Sequence, residues 1–222
     1  MVVTRHPQSM RYLPLFVDLT GRRVVVAGGG KVAERKVRQL LDCRARVTVI
    51  SPTVTSRLRS YHRNGLIGWR SRRYRSGDLA GARLVISATD QPSVNQRIAV
   101  DARRRKIWAN VVDDPGRSSV IAPAWFRRGA LIVAFSTGGA SPALAQQLRR
   151  RLSGEIGKEY AAYLALLARA RRHIHRQVKD SATRQRLMRR LIRADLLLLV
   201  GDGNRDTLKR RVARLTNGVV QL

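Results

Sequence analysis

The sequence predicts an α/β fold in which a helix-covered parallel sheet is followed by a small β segment and a helical C-terminal domain. Three observations predict it. The apolar run Val24-Val25-Val26-Ala27 leads through Gly28-Gly29-Gly30 into a helix-like stretch. Strand-like and helix-like segments then alternate over residues 24–112, as in consecutive βαβ units. After Pro115 the alternation stops, and a hairpin-like pair gives way to nearly continuous helical periodicity.

The glycine turn carries the first chemical signal. Gly28-x-Gly30-x-x-Ala33 fits the dinucleotide fingerprint in its alanine-ending form. Gly28 admits the positive φ of a tight turn. Gly30 lets backbone lie against a pyrophosphate, and Ala33 is small enough for close helix–strand packing. The N–H groups of the first helical turn, aided by the helix dipole, then face the phosphates. A Rossmann-like sheet follows from this reading. A glycine-rich β–α turn without a ligand is the competing one.

The first helix is predicted over residues 31–43, with Val32, Ala33, Val37, Leu40 and Leu41 at helical spacing. Cys43 at its end is expected to be a small packing residue. A second strand covers 45–50 and stops at Ser51-Pro52-Thr53. Serine before proline predicts an N-cap and N1 pair, and hence a helix from there to about residue 63, closed by Asn64-Gly65. A dinucleotide strand of this kind ordinarily ends in the Asp or Glu that binds the ribose of NAD. Ser51 stands there instead, and Arg57 and Arg59 keep the 2′-phosphate of NADP open.

A weak third strand is predicted at 66–69 and a turn at Asp78-Leu79-Ala80-Gly81. Residues 83–88 form a buried strand ending at Thr89-Asp90, the strand end that meets the ligand crevice in open α/β sheets. Thr89 is expected to cap or to contact cofactor, and Asp90 to be the N-cap of a helix over 92–105. Residues 107–112 form the next strand. Runs 119–125 and 130–135, joined by Arg127-Arg128-Gly129, predict a hairpin. Ser136-Thr137-Gly138-Gly139-Ala140-Ser141-Pro142 is a second glycine-rich loop, with Ser141 as N-cap and Pro142 as N1. Such a loop either binds an anion or is a plain turn. Helices are expected over 142–152, 155–176, 181–192 and 204–215.

Composition bounds the function. At 44% hydrophobic over 222 residues, the chain is globular. One cysteine excludes an internal disulfide and fits a reducing, cytoplasmic setting. Residues 1–10 contain no apolar signal-peptide core, and the longest apolar runs fall well short of the ~20 residues of a membrane span. Forty-five Lys and Arg against 14 acids give +31, which attracts polyanions. Nucleic acid is one such partner, but the arginines are dispersed and aromatics are only 5%, which disfavours base stacking. A multiply carboxylated small substrate is another, because arginine binds carboxylates in bidentate fashion.

No metal motif, GxSxG, Walker loop or paired-cysteine motif occurs. The remaining candidate is Asp113, at the end of the last sheet strand after Asn110-Val111-Val112. A carboxylate at that edge takes a proton while a hydride leaves to nicotinamide. Alternatively, Asp113 and Asp114 shape an Asp-Pro-Gly turn.

Together these words resemble the precorrin-2 dehydrogenase family, which is also the N-terminal half of siroheme synthase. The carriers are Tyr12-Leu13-Pro14-Leu15-Phe16, Val26 through Lys36, Ser87-Ala88-Thr89-Asp90 with Asn95, Asn110-Val111-Val112-Asp113, and Ser136 through Pro142. They occur in the family's order and span about residues 12–150; the tail matches only in being helical. The resemblance implies NAD-dependent oxidation of precorrin-2, an acidic tetrapyrrole, to sirohydrochlorin, with Asp113 as the catalytic aspartate. It assigns cofactor contacts to Lys31, Val32, Pro52 and Thr53, which join Gly28, Gly30, Ser51 and Thr89 from the reading of the residues, and it places Thr137, with Gly138 and Ser141 of the same loop, on the substrate side. Some members also insert iron, the same aspartate helping to remove pyrrole protons; others only dehydrogenate. It further implies a homodimer, dividing the chain into a dinucleotide domain (1–114), a dimerisation segment (115–150) and a helical domain (151–222). The methyltransferase half of siroheme synthase is absent from the 222 residues.

Overall fold

The structure, a computed structural model, describes residues 12–221. The N-terminal stretch read for a signal peptide lies outside them. The chain divides into two compact units, one ending at Ala122 and the other starting at Pro123.

The first unit is built on five strands: β1 (Arg23–Ala27), β2 (Arg46–Ile50), β3 (Gly68–Arg70), β4 (Leu84–Ser87) and β5 (Trp108–Val111). They pair in the order β3-β2-β1-β4-β5, every pair parallel. β1 is central, and Val24 through Ala27 are wholly buried. A strand covered on both faces has to be continuously apolar, which explains the valine run. Helices α1 (Lys31–Asp42) and α2 (Ser56–Arg63) contribute Ala33, Val37, Leu40 and Leu58 to one core. Helix α3 (Pro92–Arg104) and the 3-10 turn Ser76–Leu79 contribute Ile98, Ala102 and Leu79 to the other.

Several expectations are corrected. Thr55, not Ser51, caps α2; its hydroxyl accepts from Leu58 N–H at 3.3 Å. Ser51 stays extended because its N–H donates to Arg70 O (3.2 Å), and Thr55 N–H donates to Gly29 O (3.0 Å). Helix α2 therefore starts four residues after Pro52. Gln91, not Asp90, is the N-cap of α3, with Thr89 Oγ1 accepting from Gln91 N–H (3.2 Å). Cys43 is exposed at the C-cap of α1 and is no packing residue. The 119–125 run is strand only from Ala124. Before it, Ser118 and Ser119 bond the backbone of Val111 and Ala109 through their hydroxyls (2.9 and 2.8 Å), covering the β5 edge without a strand.

The second unit opens with an antiparallel hairpin, β6 (Ala124–Arg128) and β7 (Leu131–Phe135). Helix α4 (Pro142–Glu155) follows, capped as predicted by Ser141 with Pro142 at its first position. Arg128 donates to Ser153 O (2.7 Å) and Ile156 O (3.0 Å), satisfying carbonyls at the end of α4. Helices α5 (Glu159–Gln177), α6 (Ser181–Arg193), α7 (Leu196–Gly201) and α8 (Arg205–Leu215) enclose a core of Leu166, Ile174, Leu191, Leu196 and Val212. The apolar run after Asp195 is thus a short helix, α7. No helix among the described residues is long and apolar enough to cross a membrane.

Candidate cofactor cleft

The carboxyl edge of the five-stranded sheet opens into a cleft of about 470 Å³. One wall is Gly28, Gly29 and Gly30. Ser51, Pro52 and Thr53 follow β2, and Thr89, Asp90 and Gln91 follow β4. β1 lies between β2 and β4, where the strand order reverses, the place where open α/β sheets bind ligands.

Each glycine does a different job. Gly28 has φ +112°, and a Cβ there would lie 2.2 Å from Ala88 O. A Cβ on Gly29 would lie 1.9 Å from Thr53 O, so Gly29 lets the β2 loop close against the turn. Gly30 has ordinary φ and nothing within 4 Å of a would-be Cβ. It is also the N-cap of α1 and supplies no side-chain cap, leaving first-turn N–H groups for a ligand. A cradle open at Gly30, beside an uncapped helix start, fits the pyrophosphate of a dinucleotide. The Lys31 and Val32 side chains are outside the lining; Lys31 pairs with Glu34 at 3.6 Å.

Thr89 is fixed by Asn95. Its hydroxyl donates to Asn95 Oδ1 (2.7 Å), Asn95 Nδ2 donates to Thr89 O (3.1 Å), and the buried Ser87 hydroxyl joins at Asn95 Oδ1 (2.7 Å).

Sequence reasoning missed a basic residue of the lining. Arg73 and Tyr74 line the cleft, whereas Arg57 and Arg59 do not. Both lining residues belong to a loop knotted around Asp78, which is buried and accepts from Arg70 (2.5 Å), from Arg72 (2.7 and 2.8 Å) and from Arg75 N–H (2.8 Å). Burial alone would raise the Asp78 pKa; the bonds from Arg72, Arg75 N–H and Arg70 outweigh it and bring it down to about 2. The Tyr74 hydroxyl donates to Asp101 (2.9 Å), and burial followed by that carboxylate pushes its pKa up. The signal was present: four arginines in six residues, 70–75, followed by a lone acid.

Asp113 is outside the cleft lining but at the same sheet edge. Ser87 pairs with Val111 and Val112 N–H donates to Ser87 O (2.9 Å); Asp113 follows in the turn after β5. Asp113 is exposed, has φ +60°, and its carboxylate accepts no hydrogen bond among the described residues. Asp is among the residues that tolerate the left-handed region in turns, and Arg44, Lys106 and Asn217 adopt it as well. The turn work belongs to Asp114, which accepts from Arg117 N–H (3.0 Å) and pairs with its guanidinium. Lys36 on α1 is partly buried; burial lowers its pKa, Arg35 adds to that, and the charge of Asp113 opposes it.

Thr137, Gly138 and Ser141 lie in the second unit. Ser141 N–H donates to Thr137 Oγ1 (3.0 Å), and the Ser141 hydroxyl accepts from Leu144 N–H (3.3 Å). Gly138 has φ +64°.

Sheet order and cleft define a Rossmann-type NAD(P)-binding domain. A family model described as NAD(P)-binding matches residues 15–124, and one described as the sirohaem biosynthesis protein central region matches 128–154. Siroheme synthase 3 of Aeromonas hydrophila is 39% identical over 188 residues, covering 85% of this chain and 40% of that protein. Siroheme synthase of Nitrosospira multiformis is 39% identical over 209 residues (92% and 44%), and that of Pseudomonas putida 43% over 165 (74% and 36%). The chain thus spans less than half the length of these relatives. Among solved structures, SirC, a precorrin-2 dehydrogenase, superposes with TM-score 0.73 at 27% identity, covering 91% of this chain and all of that one. The chain thus carries an NAD(P)-binding region followed by a sirohaem biosynthesis central region, and is similar to part of siroheme synthase and to SirC along most of its length.

Proposed function

We propose that the chain oxidises precorrin-2 to sirohydrochlorin, with NAD as hydride acceptor. The nicotinamide, when bound, supplies the acceptor carbon. Oxidation across adjacent carbons removes one hydride and one proton; the hydride leaves to the acceptor and Asp113 takes the proton as general base. Gly30 and the first turn of α1 hold the pyrophosphate, Ser51, Pro52 and Thr53 take the ribose side, and Thr89 borders the nicotinamide side.

The observation that carries this reading is a glycine cleft and, at the carboxyl ends of the same sheet's strands, a carboxylate that accepts no hydrogen bond among the described residues. The likeness to siroheme synthases and to SirC supports the substrate. The excess of arginine suits an acidic tetrapyrrole. Thr137, Gly138 and Ser141 are proposed to contact it.

The family likeness also supports a homodimer built on the second unit. β7 reads Leu-Ile-Val-Ala-Phe, yet none of its five residues is buried, and Ile132 is 43% exposed. An apolar two-stranded ribbon of this kind calls for a further surface, here a second copy. An anaerobic assay with precorrin-2 tests the activity, and repeating it with added iron tests the chelatase arm.

A further inference from the structure

Taking the cleft as the nicotinamide cofactor site, its ribose end lacks the carboxylate that usually follows the second strand. The residue after β2 is Ser51, where a carboxylate would accept both ribose hydroxyls and repel a 2′-phosphate. Ser51 does neither. β3 pairs with β2 so that Ile50 faces Arg70, and the chain after Arg70 emerges beside Ser51 and Pro52. Ser71 Oγ donates to Pro52 O (3.1 Å), tying that segment to the ribose loop.

Three arginines emerge there, and the structure divides them. Arg70 and Arg72 are both engaged by Asp78. Arg73 is exposed, lines the cleft, and its guanidinium has no hydrogen-bond or ion-pair partner among the described residues. Among the described residues it is the one basic side chain in the lining. Asp90, the one acidic side chain of the lining among the described residues, follows β4.

We propose that Arg73 binds the 2′-phosphate of NADP and that the chain therefore accepts NADP as well as NAD. A guanidinium donates two parallel hydrogen bonds to a phosphate, a match that Lys or Ser lacks. Asp78 is the positioning residue: by holding Arg70 and Arg72, it leaves Arg73 as the free fork and fixes the loop that presents it. Arg57 and Arg59, nearer in sequence to Ser51, are outside the cleft.

The test is calorimetric titration of the purified full chain with NAD+ and NADP+ separately, for the parent, Arg73→Gln, Ser51→Asp and Arg59→Gln. The parent is expected to bind both. The ratio of NADP+ to NAD+ affinity is expected to fall about tenfold or more in Arg73→Gln, as loss of a charge-assisted pair predicts. Ser51→Asp should move the ratio in the same direction, and Arg59→Gln should leave it unchanged. A parent that binds NAD+ but not NADP+, or an unchanged ratio in Arg73→Gln, overturns the inference while leaving the cofactor site intact. A parent that binds neither overturns the cofactor site and the inference with it.

Discussion

Thr89 and Asn95 close a ring: the threonine hydroxyl donates to Asn95 Oδ1 at 2.7 Å, and Asn95 Nδ2 donates back to Thr89 O at 3.1 Å. The pair joins the end of β4 to the first turn of α3 and holds one wall of the cleft. It also satisfies Ser87, whose hydroxyl is buried.

Asn95→Leu therefore breaks three bonds and leaves Ser87 without its acceptor. An unsatisfied buried polar group costs about 1–3 kcal/mol. Urea unfolding should show a stability loss of that size, and NAD affinity should fall because Thr89 is no longer fixed. Unchanged stability would contradict the role given to the ring.

The three glycines should respond differently to substitution. Gly28→Ala and Gly29→Ala drive a Cβ into backbone carbonyls and are expected to impair folding, seen as lost soluble yield or a lowered Tm. Gly30→Val meets open space on the protein side and should fold normally. Its side chain projects where the pyrophosphate lies, so cofactor affinity should drop by about tenfold or more. Normal affinity in Gly30→Val would remove the phosphate from this turn.

Asp78 makes stability depend on acid. Its folded pKa, about 2, is below the unfolded value near 4. The stabilisation, about 2 kcal/mol, is present in full above the unfolded value and disappears as pH falls through about 2. Asp78→Asn should flatten the acid limb of the stability curve between those values. Parallel curves for the two proteins would contradict the assignment.

The sheet was legible because its signals are local and mutually consistent. A buried valine run, a glycine turn and alternating periods identify β1, α1 and the order of elements without tertiary information. Ser141-Pro142 was legible for the same reason: cap and N1 act within one turn. The α2 start was not legible, because Ser51-Pro52 has a cap's chemistry but is held extended by pairing with β3. The 119–125 run reads as strand, yet at its start the Ser118 and Ser119 hydroxyls accept from backbone N–H groups of β5. Arg73 was hidden for a related reason. Its neighbours Arg70 and Arg72 look equivalent in sequence, and only the burial of Asp78 separates them from it.

Asp113 follows the last strand of the sheet and is the residue proposed to take the proton. Its most direct test is anaerobic turnover of precorrin-2 with NAD by the parent chain and by Asp113→Asn, with NAD binding measured alongside. The parent should turn over, and the variant should keep near-parental NAD affinity with kcat reduced about a hundredfold or more, the scale of a lost general base. Full turnover by Asp113→Asn, or none by the parent despite tight NAD binding, would contradict that role.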